Sequence, residues 1–357
     1  MLTASVLLLV IGLLGSVDVV VFHERHARLT VRPEGRHEAW IHVARGAVYV
    51  LQFLLIPNVR LTGTWALALF LLFAFDAAIA IADIAVEPAA RRSQGGLPDG
   101  EYRMHIVLSV LVGAMIHAAL AEAFSLRLLP TAALFAPQAP LPLRVALAVI
   151  ALGLVVHTLK DALTLVAGAL PPPRPVHVSV RIPTTVRELW RLTQDHDLHP
   201  RWDHRFDDII MLGAPGEPIQ TGTRMRYRKS VLGMTISGEG RYKLHRPERQ
   251  STFEFSSRDP RSLIARGVGL WLYRRVAEGL VEFSTSYTYE VRWGALGRIV
   301  DHVLFRPLFQ WETERSFRRL ATDFFRMEKP LVLGATGRRR RCFPEAHGER
   351  RGALATS

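Results

Sequence analysis

The chain has 357 residues, a formal net charge of +13 and a hydrophobic fraction of 49%. The length predicts two domains, and the single cysteine, Cys342, excludes an intramolecular disulfide and a cysteine-rich metal site. The basic residues are mostly scattered arginines, without a zinc finger, an RNP pattern or a basic recognition helix, so nucleic acid is not an expected partner. In a chain that enters a membrane, cytoplasmic loops and anionic lipid headgroups explain such a charge better.

Long apolar runs fill the sequence as far as the proline-rich segment Pro171–Pro175, after which charged residues recur every few positions. A helix needs about 20 mostly apolar residues to cross the hydrocarbon core of a bilayer. Five segments meet this length, which predicts an all-α bundle of about five membrane-spanning helices. They are Leu2–Phe22, Glu38–Val59, Thr62–Val86, Tyr102–Leu129 and Leu143–Leu170. The second segment carries His42, Arg45 and Gln52, so a bundle of four spans is the alternative.

Arginines are concentrated after the first and third predicted spans. They are Arg25, Arg28, Arg32 and Arg36 after the first, and Arg91, Arg92 and Arg103 after the third. Because positively charged short loops remain in the cytoplasm, five spans place the N-terminus outside and everything after Pro171 in the cytoplasm. We therefore expect an integral membrane protein whose C-terminal half is cytoplasmic and has membrane lipids among its partners.

Histidine and carboxylate residues gather at the predicted cytoplasmic ends of the helices. Glu38 and His42, and likewise Glu101 and His105, are four positions apart, so the members of each pair share a helix face. Mixed histidine and carboxylate ligands on facing helices are typical of iron, manganese and zinc sites. The candidate metal ligands are His23, His26, His37, Glu38, His42, Asp83, Glu87, Glu101 and His105. The alternative is a solvated network in which neighbouring arginines neutralise the acids.

Two short segments of the first half resemble known membrane proteins. His23-Glu24-Arg25-His26 resembles a fragment of the histidine boxes of membrane fatty-acid hydroxylases and desaturases, although the chain lacks the HxxHH box of those enzymes. The run Glu87–His105, which contains Gly95-Gly96-Leu97-Pro98, resembles uncharacterised bacterial multi-span membrane proteins. This second resemblance implies a bacterial inner (plasma) membrane and names no activity.

Apolar and polar residues alternate in several short stretches after the proline-rich segment. Val176–Ile182 predicts a strand, and Val186 and Leu189 share one face of a following helix. Further alternating stretches predict a half-buried antiparallel sheet, and Leu296–Phe325 predicts a long amphipathic helix with a kink or restart at Pro307. The histidines and aspartates between residues 195 and 208 are expected to be solvated loop and helix-capping residues.

This order of elements resembles the START-like helix-grip fold of the SRPBCC family, which is also called polyketide cyclase/dehydrase and lipid transport. The resemblance rests on Val176–Trp190, His199-Pro200-Arg201-Trp202 and Gly297–Pro307, and it covers about residues 175–327. It implies a curved antiparallel sheet around a long C-terminal helix, with an apolar cavity for a hydrophobic small molecule. Candidate cavity-lining residues are Trp202, Met225, Tyr227, Phe253, Phe255, Trp271, Tyr287, Tyr289 and Phe309. The alternative is that these are ordinary core residues of a filled sheet.

The expected organisation is a transmembrane helical domain (residues 1–170), a linker (171–175), an α+β START-like domain (176–328) and a disordered basic tail (329–357). The expected function is binding or transfer of a lipid, isoprenoid or polyketide-like molecule at the membrane. The alternative is a membrane-embedded metal-dependent oxidase or hydroxylase that uses the histidine and carboxylate cluster. A third explanation is that the membrane half is only an anchor.

Overall fold

A computed structural model describes residues 1–213, 217–231 and 233–334. The chain divides into two compact units, Met1–Leu170 and Pro171–Ser357. The division falls at the start of the proline-rich segment, where the hydrophobic runs of the sequence end.

The first unit is a bundle of long helices with a very small sheet. Its helices are α1 (Leu2–Asp18), α2 (Arg36–Leu55), α3 (Trp65–Arg91), α4 (Asp99–Ser125) and α5 (Leu141–Ala169). Helix α1 continues without a break as a π-helical segment, Val19–Ala27. Strands β1 (Val59–Thr62) and β2 (Ala132–Phe135) pair antiparallel. Apolar side chains cover the outside of these helices as well as their inside, which is the pattern of helices surrounded by lipid.

Four of the long helical segments are apolar enough to cross a membrane, namely Leu2–Ala27, Trp65–Gln94, Asp99–Ser125 and Leu141–Ala169. Helix α2 is not among them, so the expected count of five spans is not confirmed. Yet α2 has 20 residues, and at about 1.5 Å per residue it is long enough to cross the hydrocarbon core. Its first turn contacts the end of α3 through Glu38 and Arg91. Strand β1, just beyond its last turn, pairs with β2.

The second unit is an eight-stranded antiparallel sheet with helices against it. Along the sheet the strand order is β10-β3-β9-β8-β7-β6-β5-β4. The strands are β3 (Val176–Ile182), β4 (Asp208–Met211), β5 (Arg224–Val231), β6 (Met234–Arg246), β7 (Gln250–Ser256), β8 (Ile264–Ala277), β9 (Leu280–Val291) and β10 (Val332–Gly334). The helices are α6 (Val186–Gln194), α7 (His199–Trp202), α8 (Gly294–Val300) and α9 (Arg306–Arg319).

The C-terminal helical run packs its apolar face on the sheet. The rings of Phe317 and Phe283 stack with centroids 4.8 Å apart, and Leu320 is fully buried beside them. The expected kink at Pro307 takes the form of a π-helical turn, Asp301–Phe305, that ends just before α9 begins. Proline cannot donate a backbone hydrogen bond, and its ring crowds the preceding turn of the helix. The wider π-helical turn before Pro307 relieves this crowding.

Strand β10 corrects the predicted start of the disordered tail. Val332–Gly334 pairs antiparallel with Val178–Val180, so the sheet continues past residue 328. Three residues are too short to show a period, and their edge position leaves one side unpaired, which explains why the sequence does not reveal them. The rest of the predicted tail, residues 335–357, lies outside the described residues.

Candidate functional sites

The structure brings most of the candidate metal ligands together inside the helical unit. They come from the π-helical end of the first helix, the first turns of α2 and α4, and the last turns of α3. Seven of the nine candidates have a nitrogen or carboxylate oxygen close to that of another cluster member, within 4.8 Å or within ion-pair distance. They are His23, Glu38, His42, Asp83, Glu87, Glu101 and His105. An additional residue, Asp18, belongs to the same cluster.

Arg91 lies at the centre of this cluster and has no exposed surface. Its Nη1 and Nη2 donate to Oε2 and Oε1 of Glu38 at 2.8 and 2.9 Å. Its Nη2 also donates to Oε1 of Glu101 at 2.5 Å. Such bidentate pairing is what the planar guanidinium group favours. Two of the candidate ligands are therefore held by an arginine, as the ion-pair alternative expects.

Another part of the cluster meets Arg91 only through Glu101, whose Oε1 lies 3.4 Å from Nε2 of His23. The Nε2 atoms of His23 and His105 lie 3.6 and 3.5 Å from Oδ2 of Asp18. Nδ1 of His105 lies 3.1 Å from Oε1 of Glu87, close enough to donate a hydrogen bond. Two imidazole nitrogens and one carboxylate oxygen thus face one another across the interface of α1 and α4.

A third part of the cluster joins α2 to α3. Nε2 of His42 lies 3.3 Å from Oδ1 of Asp83, and Nη1 of Arg45 lies 3.4 Å from the other oxygen of that carboxylate. Deeper along the same face of α3, Asp76 accepts a hydrogen bond from Nε2 of Gln52 at 3.2 Å. The rings of His42 and His23 lie 4.3 Å apart, so this part adjoins the previous one.

Two of the predicted ligands, His26 and His37, are exposed and join none of these groups. His26 follows His23 by three residues within the π-helical segment, whose wider turn carries it off the face that His23 occupies. His37 is adjacent to Glu38 on α2, and neighbouring positions of a helix do not face the same way. For these two residues the predicted role as a ligand is not supported by their position.

A cavity of about 370 Å³ opens beside the cluster. Its lining includes Asp18, His23, His42, Asp83 and His105, together with apolar side chains of the surrounding helices. The same cavity reaches His157 and Asp161 of α5, whose side chains approach to 3.2 Å. Glu24 completes that second group but contacts Lys160, so its carboxylate already has a cationic partner.

In the second unit, the nine predicted cavity-lining residues do gather on the inner face of the sheet. Seven are buried, and Tyr227 and Phe309 are partly buried against the same core. Their rings contact one another, for example Tyr287 with Phe309 at 5.4 Å, and Nε1 of Trp271 donates to the Tyr287 hydroxyl at 2.9 Å. Burial raises the pKa of the Tyr227 hydroxyl to about 12.

Large side chains and glycines alternate across the strands of this inner face. In one row the cross-strand partners are Met225, Gly240, Phe255, Gly267 and Tyr289. A Cβ atom at Gly267 would lie 2.4 Å from Cζ of Phe255, and one at Gly240 would lie 2.5 Å from Cε of Met225. The side chains therefore extend over the backbone of the next strand and cover the sheet.

A buried polar network closes one side of this aromatic region and corrects the expectation of a solvated loop. Asp203 and His199 are at most 1% exposed, with Nε2 of His199 3.0 Å from Oδ2 of Asp203. Arg205 donates to both oxygens of that carboxylate, at 2.8 and 2.6 Å. Burial alone would raise the pKa of the Asp203 carboxyl, but the Arg205 guanidinium and His199 hold it well below its usual range. Asp195 makes a local turn contact instead of a helix cap: its Oδ1 accepts from the backbone N–H of Asp197, and α7 begins after Leu198 without a side-chain cap.

The guanidinium of Arg205 also lies against the aromatic face, with its carbon 4.7 Å from the ring centre of Tyr287. The His199 ring stacks on Trp271 at 5.0 Å. The inner face therefore combines a buried aromatic surface with a fixed polar end.

Sequence reasoning missed Asp18 and Arg205. Asp18 is a single acid within an otherwise apolar run, and the hydropathy of that run hides it. Its signal is its rarity, because a lone carboxylate inside a membrane span is a functional candidate by default. Arg205 lies in a charged segment, where nothing but its partners distinguishes a buried arginine from a solvated one.

The fold and these sites define a membrane protein with a START-like domain. Residues 174–324 match the family described as "Polyketide cyclase / dehydrase and lipid transport". This match confirms the resemblance seen in the sequence over about residues 175–327.

Relatives with known names or structures cover parts of the chain. The chain is 34% identical to the "Uncharacterized membrane protein YndG" of Bacillus subtilis (strain 168) over 151 residues. The matched region is 41% of this chain and 56% of that protein. The chain thus matches little more than half the length of this curated relative. Among solved structures, TTHA0849 from Thermus thermophilus is 17% identical over 44% of this chain and 100% of its own, with a TM-score of 0.34. The ZhuI aromatase/cyclase from Streptomyces sp. R1128 is 14% identical over 42% and 95%, with a TM-score of 0.33.

Proposed function

We propose that this membrane protein uses its START-like domain to bind, and pass to or from the bilayer, a hydrophobic small molecule of the lipid, isoprenoid or polyketide-like class. The observation that carries the proposal is the inner face of the sheet, where large side chains alternate with glycines across five strands. The rings of Tyr287 and Tyr289 on this face contact Phe309 of α9 at 5.4 and 5.8 Å. A surface of this kind, facing α9 and ending at a buried arginine, suits an elongated apolar molecule with one polar end.

Tethering the domain to the membrane helices favours this function. A molecule dissolved in a bilayer is dilute in water, and a domain held at the membrane meets it at a high effective concentration. We further propose that the domain is cytoplasmic and the membrane a bacterial plasma membrane. The arginine-rich loops after the first and third helices support that orientation. The two ends of α2 support five crossings. Its first turn lies at the C-terminal end of α3, where Glu38 pairs with Arg91, and its last turn leads through β1 to the N-terminal end of α3. If α3 crosses the membrane, α2 therefore crosses it too.

The test is to purify the full-length protein into nanodiscs of one synthetic phosphatidylcholine and to identify bound hydrophobic molecules by mass spectrometry. The wild type is expected to retain a molecule other than that lipid. Phe309→Asp, which adds a charge to the apolar region, is expected to lose it. Trp311→Asp changes an exposed residue of the same helix and is expected to retain it.

Wild-type protein that carries only the synthetic lipid, from several expression hosts, would contradict the proposal, as would equal retention in both variants. Phe309→Trp is a second variant that keeps the site apolar but reduces its volume. It is expected to lower the bound amount without unfolding the domain, which near-ultraviolet circular dichroism would check.

A second candidate function is metal-dependent oxidation or hydroxylation in the helical unit. It is favoured by the two imidazoles and one carboxylate of His23, His105 and Asp18, since such a set with open positions is used by non-haem iron oxygenases. Iron-loaded protein that consumes oxygen only with a hydrophobic substrate present would support it. A site that binds zinc and rejects iron would exclude it.

A further inference from the structure

We propose that Asp18, His23 and His105 bind a divalent first-row transition metal ion within the helical unit. The proposal does not depend on the ligand of the START-like domain or on catalysis. It narrows the predicted set of nine residues to two of them and adds Asp18, which the sequence pattern hides.

The spacing of the ligand atoms supports a metal better than direct hydrogen bonds. Oδ2 of Asp18 lies 3.6 Å from Nε2 of His23 and 3.5 Å from Nε2 of His105. A hydrogen bond between such atoms would measure about 2.7–3.2 Å. Ligands at about 2.1 Å from a tetrahedral metal ion are separated by about 3.4 Å, which is close to these two distances. All three ligand atoms lie within 4.8 Å of one another.

Buried polar atoms in this group lack hydrogen-bond partners. Asp18 and His23 are 4% and 7% exposed, and neither Oδ1 of Asp18 nor Nε2 of His23 makes a hydrogen bond among the described residues. Oε1 of Glu101 lies 3.4 Å from Nε2 of His23, within ion-pair distance but outside hydrogen-bond geometry. An unsatisfied buried polar atom destabilises the folded protein. The ion would satisfy the imidazole nitrogen and draw the carboxylate to it, so these orphaned atoms point independently to a ligand.

Glu87 orients His105 in the way that metal sites require. Its Oε1 lies 3.1 Å from Nδ1 of His105. A hydrogen bond from Nδ1 places the ring proton there and leaves the lone pair of Nε2 directed at Asp18. This arrangement of carboxylate, histidine and metal recurs in metal sites, where it fixes the tautomer of the ligand.

The charges of the surrounding residues also call for a cation. The cluster contains six buried carboxylates, Asp18, Glu38, Asp76, Asp83, Glu87 and Glu101. Their arginine partners are Arg45 and Arg91, which leaves a formal excess of four negative charges among these groups. Burying unpaired charge is costly. A divalent ion would offset half of the excess, and protonated histidines are the competing explanation that the experiment separates.

The donor set indicates the class of metal. Two imidazoles and one carboxylate suit iron, manganese or zinc and fit calcium poorly, because calcium prefers oxygen ligands. Three protein ligands leave coordination positions open. The adjoining cavity of about 370 Å³ could hold water or a substrate at those positions.

The test uses full-length protein in detergent, with metal content measured by plasma mass spectrometry and affinity measured by cobalt titration, which gives visible ligand-field bands. The wild type is expected to bind about one ion per chain. Asp18→Asn and His105→Ala are expected to weaken binding by at least about 100-fold, and Glu87→Gln by about 10- to 100-fold. The matched controls are His26→Ala and His37→Ala, which remove the exposed histidines and are expected to bind as the wild type does.

Folded wild-type protein that binds neither cobalt nor any of the three metals would overturn the proposal and favour protonated histidines. Unchanged affinity in Asp18→Asn would overturn it as well. If His105→Ala fails to fold, Glu87→Gln still decides the question, because it keeps the size of the side chain but removes the carboxylate charge that strengthens His105 as a ligand. Affinity in this variant equal to that of the controls would contradict the site.

Discussion

Arg91 and Glu38 form a bidentate ion pair in which neither side chain is more than 1% exposed. The same guanidinium holds Glu101, so one arginine of α3 connects the first turns of α2 and α4. Removing one partner of a buried ion pair leaves an uncompensated charge and costs about 3–5 kcal/mol.

Arg91→Ala is therefore expected to lower the melting temperature of the full-length protein strongly. Arg91→Lys is expected to recover little of the loss, because an ammonium group cannot form two bidentate pairs at once. The measurement is thermal unfolding in detergent followed by circular dichroism. Arg92→Ala removes the neighbouring exposed arginine and serves as the control. Equal melting of Arg91→Ala and Arg92→Ala would contradict the structural role.

The Asp203 network predicts acid sensitivity in the START-like domain. The pKa of the Asp203 carboxyl is lower in the folded protein than its unfolded value of about 3.9. A depressed pKa stabilises the fold above the unfolded pKa, and this contribution is lost as the pH falls through about 4 toward the folded pKa. Thermal unfolding followed by tryptophan fluorescence should therefore show a steep loss of stability below about pH 4.

Asp203→Asn is expected to lower stability at neutral pH, since Arg205 would remain buried without its counter-charge, and to flatten the dependence below about pH 4. Asp197→Asn, at a nearby exposed position, should leave both properties unchanged. A wild-type-like acid transition in Asp203→Asn would show that other carboxylates cause it.

Gly269 is expected to tolerate no side chain. A Cβ atom there would lie 2.5 Å from Cζ of Phe253 and 2.8 Å from Cε1 of Tyr287. Gly269→Ala should destabilise the domain by about 1–3 kcal/mol through overpacking. Hydrogen exchange of peptides from β7 to β9 measures this, with Val268→Ala on the outer face as the control. Exchange no faster in Gly269→Ala than in Val268→Ala would mean that the rings can move aside.

Membrane topology can be tested with the single cysteine, Cys342, which lies outside the described residues. Five spans predict that a membrane-impermeant maleimide leaves Cys342 unlabelled in intact cells. In a Cys342→Ser background, Val31→Cys should also be protected and Leu128→Cys should be labelled. Both positions are exposed. If α2 does not cross the membrane, Val31→Cys and Leu128→Cys will instead show the same labelling.

The elements of the second unit could be predicted because their signals are local. The alternation of Val176–Ile182 identifies β3, and the threonine before Val186 caps α6 as its position predicts. The rows of large residues and glycines could not be predicted, since Met225, Gly240 and Phe255 become neighbours only through the register of three strands.

The candidate metal ligands were predictable as a set but not individually. Spacing places Glu38 with His42 and Glu101 with His105 on shared faces, and the structure brings them together. The spacing of residues in the sequence cannot reveal that Arg91 neutralises two of the acids. Nor can it reveal that the π-helical turn separates His26 from His23. These outcomes depend on helix geometry and on contacts between helices, which single-chain periodicity does not record.

X-ray absorption spectroscopy of zinc-loaded full-length protein is the most direct test of the metal site. Binding by Asp18, His23 and His105 predicts two imidazole nitrogens and one carboxylate oxygen at about 2.0–2.2 Å from the ion. His105→Ala should remove the scattering of one imidazole, and His26→Ala should leave the spectrum unchanged. A zinc spectrum with oxygen ligands alone, or one that His105→Ala does not alter, would contradict the site.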